Sequence, residues 1–102
     1  MKSVKARLQH QLEEAQAELR RLERKLQREV DYGVGEGDPR IYEREMNLVL
    51  RRGAEAKVSS IEEALHRLGE GKYGLCARCG REIKPERLAI LPDTDRCAQC
   101  AP

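Results

Sequence analysis

The chain has 102 residues, of which 37% are charged and 3% aromatic, with three Tyr, no Phe and no Trp, and its formal net charge is +2. So polar a composition excludes a thick globular core and allows at most one small domain or a module on an extended element. No apolar run approaches the roughly 20 residues needed to cross a membrane.

Disorder would suit this polarity, but the leucines are periodic. Apolar residues recur at Leu8, Leu12, Ala15, Leu19, Leu22 and Leu26, in steps of four and three, which is a heptad stripe on one helix face. Ser3 reads as an N-cap and Gly33 as a stop, giving a first helix of about 3–32. Asp38-Pro39 then reads as an N-cap followed by proline in the first helical position. A second stripe runs Tyr42, Met46, Leu50, Ala54, Val58, Ile61, Leu65, Leu68 and ends at Gly69 and Gly71, giving a helix of about 39–69.

Two helices of similar length joined by a loop over 33–38 fold back as an antiparallel coiled-coil hairpin, residues 1–71, each arm about 40–45 Å long at 1.5 Å per residue. Each buried Leu supplies roughly 1.5–3 kcal/mol against the entropy of ordering two long helices, so the hairpin alone is marginal. An intramolecular hairpin uses up both stripes, which predicts a monomer.

The net charge hides a segregation. Residues 2–28 carry eight Lys/Arg against four Glu, whereas 29–45 carry six acids against two Arg. Residues 46–71 balance, and 72–102 carry six Lys/Arg against four acids. The hairpin tip, Gly33-Val34-Gly35-Glu36-Gly37-Asp38, is therefore acidic, slim and glycine-rich. Charge runs are commonly solvated faces, and Asp38 also has a capping role; the functional alternative is that Glu36 and Asp38 are presented to a basic cleft or a bound metal.

The last segment, 72–102, holds all four cysteines as two Cys-x-x-Cys knuckles, Cys76/Cys79 and Cys97/Cys100, with seventeen residues between them. That spacing falls in the range of four-cysteine zinc sites. Gly80, free to take positive φ, lets backbone amides turn toward the sulfurs. Disulfides are disfavoured because Met1 to Gln11 is polar and basic rather than a secretory signal. A thioredoxin-like pair would want a βαβ context, and an iron–sulfur cluster suits evenly paired knuckles less well than zinc. Four thiolates fill the coordination sphere, so one structural Zn²⁺ and no enzyme activity are expected. Between the knuckles, Ile83, Leu88, Ile90 and Leu91 read as a miniature core. Leu88 to Leu91 reads as a short strand bounded by Pro85 and Pro92, and Tyr73 and Leu75 as packing onto the hairpin base. The fold class expected is mainly α: an antiparallel coiled-coil hairpin with a small C-terminal four-cysteine zinc finger.

Gly71-Lys72-Tyr73-Gly74-Leu75-Cys76-Ala77-Arg78-Cys79-Gly80, followed by Ile83, Arg87-Leu88, Pro92 and Cys97-Ala98-Gln99-Cys100, is similar to the zinc finger of the DksA/TraR family. The resemblance implies a cytoplasmic transcription regulator that binds RNA polymerase rather than DNA. Its coiled-coil tip would enter the secondary channel toward the catalytic Mg²⁺ while the finger rests on the rim, altering initiation at selected promoters. Against the family's Asp-x-x-Asp-x-Ala tip motif, the two acids fall at Gly33 and Glu36 and the alanine at Asp38. Positions that contact the alarmone ppGpp in such proteins fall at Gly53, Lys57, Ser60, Arg87 and Ala101. Only Lys57 and Arg87 can meet a phosphate, so no strong ppGpp dependence is expected. The chain ends two residues after Cys100, without the C-terminal helix of longer members, which suggests a short, TraR-like form.

Two other readings remain open. Arg78, Arg81, Arg87 and Arg96 could contact phosphates of bare nucleic acid, although nearby acids offset them and no aromatic platform exists, so direct DNA binding is not expected. A redox- or zinc-responsive switch is the third, in which thiol oxidation ejects the metal.

Overall fold

The computed structural model describes residues 3–101, so Met1 and Pro102, the outer limits of the expected hairpin and finger, lie outside them. Among the described residues the order is α1 (Val4–Asp31), α2 (Ile41–Gly69) and α3 (Pro85–Ile90), with one isolated antiparallel bridge between Leu75 and Glu82. The fold is mainly α: a hairpin of two long helices followed by a small module that carries the four cysteines.

The helix ends follow from local chemistry. Ser3 Oγ accepts the Ala6 amide at 3.1 Å and so satisfies one of the orphan N–H groups that open α1. Both long helices close with the same device. At the end of α1, Gly33 N–H reaches Val30 O and Val34 N–H reaches Glu29 O, each at 3.0 Å. At the end of α2, Gly71 N–H reaches Leu68 O at 3.2 Å and Lys72 N–H reaches Arg67 O at 2.8 Å. These crossed bonds need a left-handed residue after the cap, and Gly33 (φ 70°) and Gly71 (φ 75°) supply it. The start of α2 differs from the capped Pro39 start expected for it. Asp38 builds a separate turn, its carbonyl accepting the Ile41 amide at 3.0 Å and its carboxylate the Arg40 amide at 2.9 Å, so the helix opens at Ile41.

The chain forms two compact units, Glu13–Val58 and Met1–Leu12 with Ser59–Pro102. In the first, Leu22 and Leu26 of α1 are buried. Opposite them α2 turns polar residues inward. Asn47 is 3% exposed and donates to Glu29 Oε1 at 2.9 Å; Arg44 Nη1 reaches Glu29 Oε2 and Leu26 O, both at 3.3 Å. Lys25 and Glu43 pair at 3.1 Å.

The first half of the second stripe is therefore corrected: Tyr42, Met46 and Leu50 are 79%, 59% and 48% exposed. The reason is geometric. A step of four residues advances about 40° around an α-helix, so four such steps from Tyr42 carry the stripe about 160° round, from the outer face to the inner. The later members Ala54, Val58, Ile61, Leu65 and Leu68 are buried or half-buried.

In the second unit Leu8, Ile61 and Ala64 are fully buried. The finger's own core is Cys76, Ile83 and Cys97 with Leu88 and Cys100 against it. Three further expectations are corrected here. Residues 88–90 are helical rather than a strand, because Pro85 sits in the first turn of α3, where its missing N–H costs nothing. As a result Ile90 and Leu91 point outward, 78% and 41% exposed, and stay out of the miniature core. Leu75 is 39% exposed and bridges Glu82 instead of packing inward, while Tyr73 is half-buried and donates to Pro92 O at 2.8 Å.

Candidate metal centre and hairpin tip

The first knuckle sits on a tight reversal of the chain. Cys76 N–H donates to Arg81 O at 2.8 Å, Ile83 N–H to Gly74 O at 2.7 Å, and Gly80 N–H back to Cys76 O at 2.9 Å. The second knuckle closes on itself, with Cys100 N–H and Ala101 N–H both donating to Cys97 O, at 3.1 and 3.0 Å. Ala77 N–H donates to Asp95 O at 2.7 Å and ties the two together. The lead into the second knuckle is fastened to α2: Ser60 Oγ donates to Asp93 O at 3.3 Å and Arg67 to Thr94 O at 3.5 Å. The Arg7 guanidinium of α1 donates to Ala89 O.

These contacts gather the sulfurs of Cys76, Cys79, Cys97 and Cys100 within 4.8 Å of one another. A tetrahedron of thiolates at Zn–S about 2.3 Å has edges of about 3.8 Å, and Cys79 Sγ lies 3.7 Å from Cys97 Sγ. The arrangement fits one zinc ion with no open position, which is a structural site.

Electrostatics point the same way. Amides of Cys97 and then Cys79 hold the Cys76 thiol down to about 6. At Cys97 burial opposes ionisation, but hydrogen bonds from Cys100 and Cys79 outweigh it and lower the thiol. Cys100 is pushed up to about 12, first by its hydrogen bond to Cys97 and then by burial. Four thiols in one cluster cannot all ionise without a cation to offset them, and zinc is that cation.

The finger arginines are engaged locally. Arg81 Nη1 donates to Gln99 Oε1 at 3.1 Å, fastening the first knuckle to the second, and Arg87 Nε donates to Arg96 O at 3.0 Å, fastening α3 to the residue before the second knuckle. With Lys84 they line a shallow groove beside Cys97. Lys57 lies on the exposed side of α2, in the other compact unit from Arg87.

At the tip, Glu36 is exposed, whereas Asp38 is held by Arg40 Nε at 3.1 Å and Nη2 at 2.7 Å. The two acids thus differ: Glu36 presents its carboxylate to solvent, and Asp38 shapes the turn. The Arg40 side chain and amide hold the Asp38 carboxyl down to about 2, from an ordinary 3.8. Since the folded value is the lower one, the contribution of this contact is complete above about 3.8 and lost as pH falls through about 2. An NMR titration should show the Asp38 carboxyl with a midpoint near 2, returning toward 3.8 in Arg40→Ala; a midpoint near 3.8 in the parent chain would contradict the contact.

Sequence reasoning missed the inward cluster of Glu29, Arg44 and Asn47. Its signal was available in the precession of the apolar stripe, which leaves positions 44, 47 and 51 facing α1.

Comparison with known proteins agrees with this geometry. Residues 71–102 match the prokaryotic dksA/traR C4-type zinc finger. An uncharacterized protein of Aquifex aeolicus (strain VF5) is 46% identical over 46 residues, 45% of this chain and 32% of that protein. The uncharacterized protein YteA of Bacillus subtilis (strain 168) is 34% identical over 69 residues, 68% of this chain and 29% of its own length. The matches thus span less than a third of these two curated relatives. The structure of transcription factor DksA2 from Pseudomonas aeruginosa superposes with a TM-score of 0.81 at 30% identity, covering 94% of this chain and 75% of that one.

Proposed function

The chain belongs to the DksA/TraR family, and on that premise we propose that it binds RNA polymerase and modulates transcription initiation by inserting its hairpin tip into the secondary channel. The observation that carries this reading is the fold shared with a transcription factor over 94% of the chain. The hairpin, 1–71, is the arm that reaches the polymerase, and the finger, 72–102, is the end that stays outside. The tip suits such a role because its loop is narrow, with Gly33 and Gly37 both at positive φ, and bears an exposed acid at Glu36.

A division of labour follows. Glu36 acts on the charged surroundings of the polymerase active site, and Asp38 sets the shape of the loop through Arg40. Lys57 and Arg87 are the two positions at which an alarmone phosphate would be met. The Nε of Arg87 is already committed to Arg96 O, which supports action without strong ppGpp dependence.

Zinc-loaded protein should bind polymerase core and compete with transcript-cleavage factors for the channel. The Glu36→Ala/Asp38→Ala variant should bind nearly as well but lose most of the regulatory effect. No binding by the parent chain would end the proposal, and loss of binding with unchanged regulation per complex would reverse the assigned roles.

A further inference from the structure

Tyr42, Met46 and Val49 on α2 face outward at 79%, 59% and 60% exposed, and Gly53 and Ala56 continue the same line. The steps are four, three, four and three, so this is a second heptad stripe, on the face turned away from α1. Its glycine has no internal explanation. Glycine weakens a helix interior, yet a Cβ added at Gly53 would meet nothing within 4 Å. A small residue on an open apolar face is what a close-approaching second helix requires.

We propose that this face pairs with the same face of a second copy of the chain, antiparallel, about a two-fold axis near Val49. In that register Tyr42 of one copy lies over Ala56 of the other and Met46 over Gly53, so each large side chain meets a small one. A parallel pair would set Tyr42 on Tyr42 and leave a gap at Gly53. The flanking charges obey the same symmetry: Glu45 of each copy falls beside Arg52 of the other, giving two equivalent ion pairs. This agreement of size and charge under a two-fold operation favours a second copy over a foreign helix, which would not need it.

The contact strip, from Tyr42 to Ala56, is about 21 Å long. One helix face of that length falls short of the roughly 800 Å² per partner typical of stable complexes, so the pairing is weak and concentration-dependent. It departs from the monomer expected on the ground that the leucine stripes are used up, because it uses a different face. It does not depend on the polymerase reading.

Sedimentation of the full zinc-loaded chain from micromolar to near-millimolar concentration should show the mass rising toward twice that of the chain. Glu45→Arg and Arg52→Glu should each abolish the rise, since each sets like charges together twice. An equimolar mixture of the two variants should regain it, as a dimer containing one of each. A mass that stays monomeric at every concentration would overturn the proposal. So would a dimer indifferent to either substitution, or a mixture that fails to recover. If the chain is monomeric and Met46→Glu abolishes polymerase binding, the face serves polymerase instead.

Discussion

Cys97→Ser is expected to reduce bound zinc from one ion per chain to a small fraction and to unfold the finger. Structural zinc contributes an apparent binding free energy on the order of 10–16 kcal/mol in small finger peptides, and here it joins segments that share little apolar contact. The core of the finger is Cys76, Ile83 and Cys97 with Leu88 and Cys100, so three of its five members are themselves ligands. Without the ion the cluster would have to bury thiols of which one is held down to about 6 and another pushed up to about 12. Hydrogen exchange reads the outcome directly. The amides of Cys76, Ala77 and Ile83, bonded across the reversal and between the knuckles, should lose protection, while those in the middle of α1 should keep theirs. Chelation of the parent chain should give the same pattern. Retained protection at Ala77 and Ile83 in the zinc-free protein would show that the hydrogen bonds suffice without metal.

Glu29→Ala is expected to destabilise the chain by about 1–3 kcal/mol, although it removes only one carboxylate. Glu29 is the shared acceptor for Asn47 Nδ2 at 2.9 Å and Arg44 Nη1 at 3.3 Å, and the side chains of Glu29 and Arg44 are only 14% and 23% exposed. Its loss leaves the buried Asn47 amide without this acceptor and the half-buried Arg44 guanidinium with Leu26 O but no counter-charge. The cost is the desolvation of those two groups rather than the value of the contact. A triple replacement of Glu29, Arg44 and Asn47 by Leu should consequently recover most of the stability, since apolar groups of similar size need no partner. Thermal unfolding separates the cases, with about 4–8 °C expected per kcal/mol in a domain of this size. A neutral Glu29→Ala, or a triple variant worse than the single one, would contradict this account.

The parts of the fold legible from sequence were those set by local rules. The knuckle spacing brings four sulfurs together because each pair lies on one turn, and the bond from Ala77 to Asp95 is among the long-range ties that join the turns. Gly33 could be assigned as a stop because a left-handed residue after a helix is a backbone requirement, independent of packing. Where several rules compete, the reading failed. Leu88, Ile90 and Leu91 look like a strand by composition, but a proline at Pro85 starts a helix, and the turn that results sends Ile90 to solvent. Counting apolar residues alone places Tyr42, Met46 and Leu50 inward, whereas they are exposed. The partners that claim the inner face, Arg44 and Asn47, are polar, and only the position of Glu29 across the hairpin explains them. The same error concealed the outward stripe with Gly53 in its centre.

The tip shows a finer limit. Glu36 and Asp38 are alike in sequence, two residues apart in an acidic loop. Arg40 tells them apart by clamping one carboxylate and leaving the other exposed. Zinc holds the finger, and under the proposed function Glu36 is the carboxylate that meets the polymerase. Placing a photo-crosslinking residue at position 36 of the zinc-loaded chain and mapping its attachment on polymerase core tests this most directly. The expected result is a single set of crosslinks lining the secondary channel near the catalytic Mg²⁺, lost when a transcript-cleavage factor occupies the channel. Crosslinks confined to the outer surface of the polymerase, or none from a chain that still alters initiation, would contradict it.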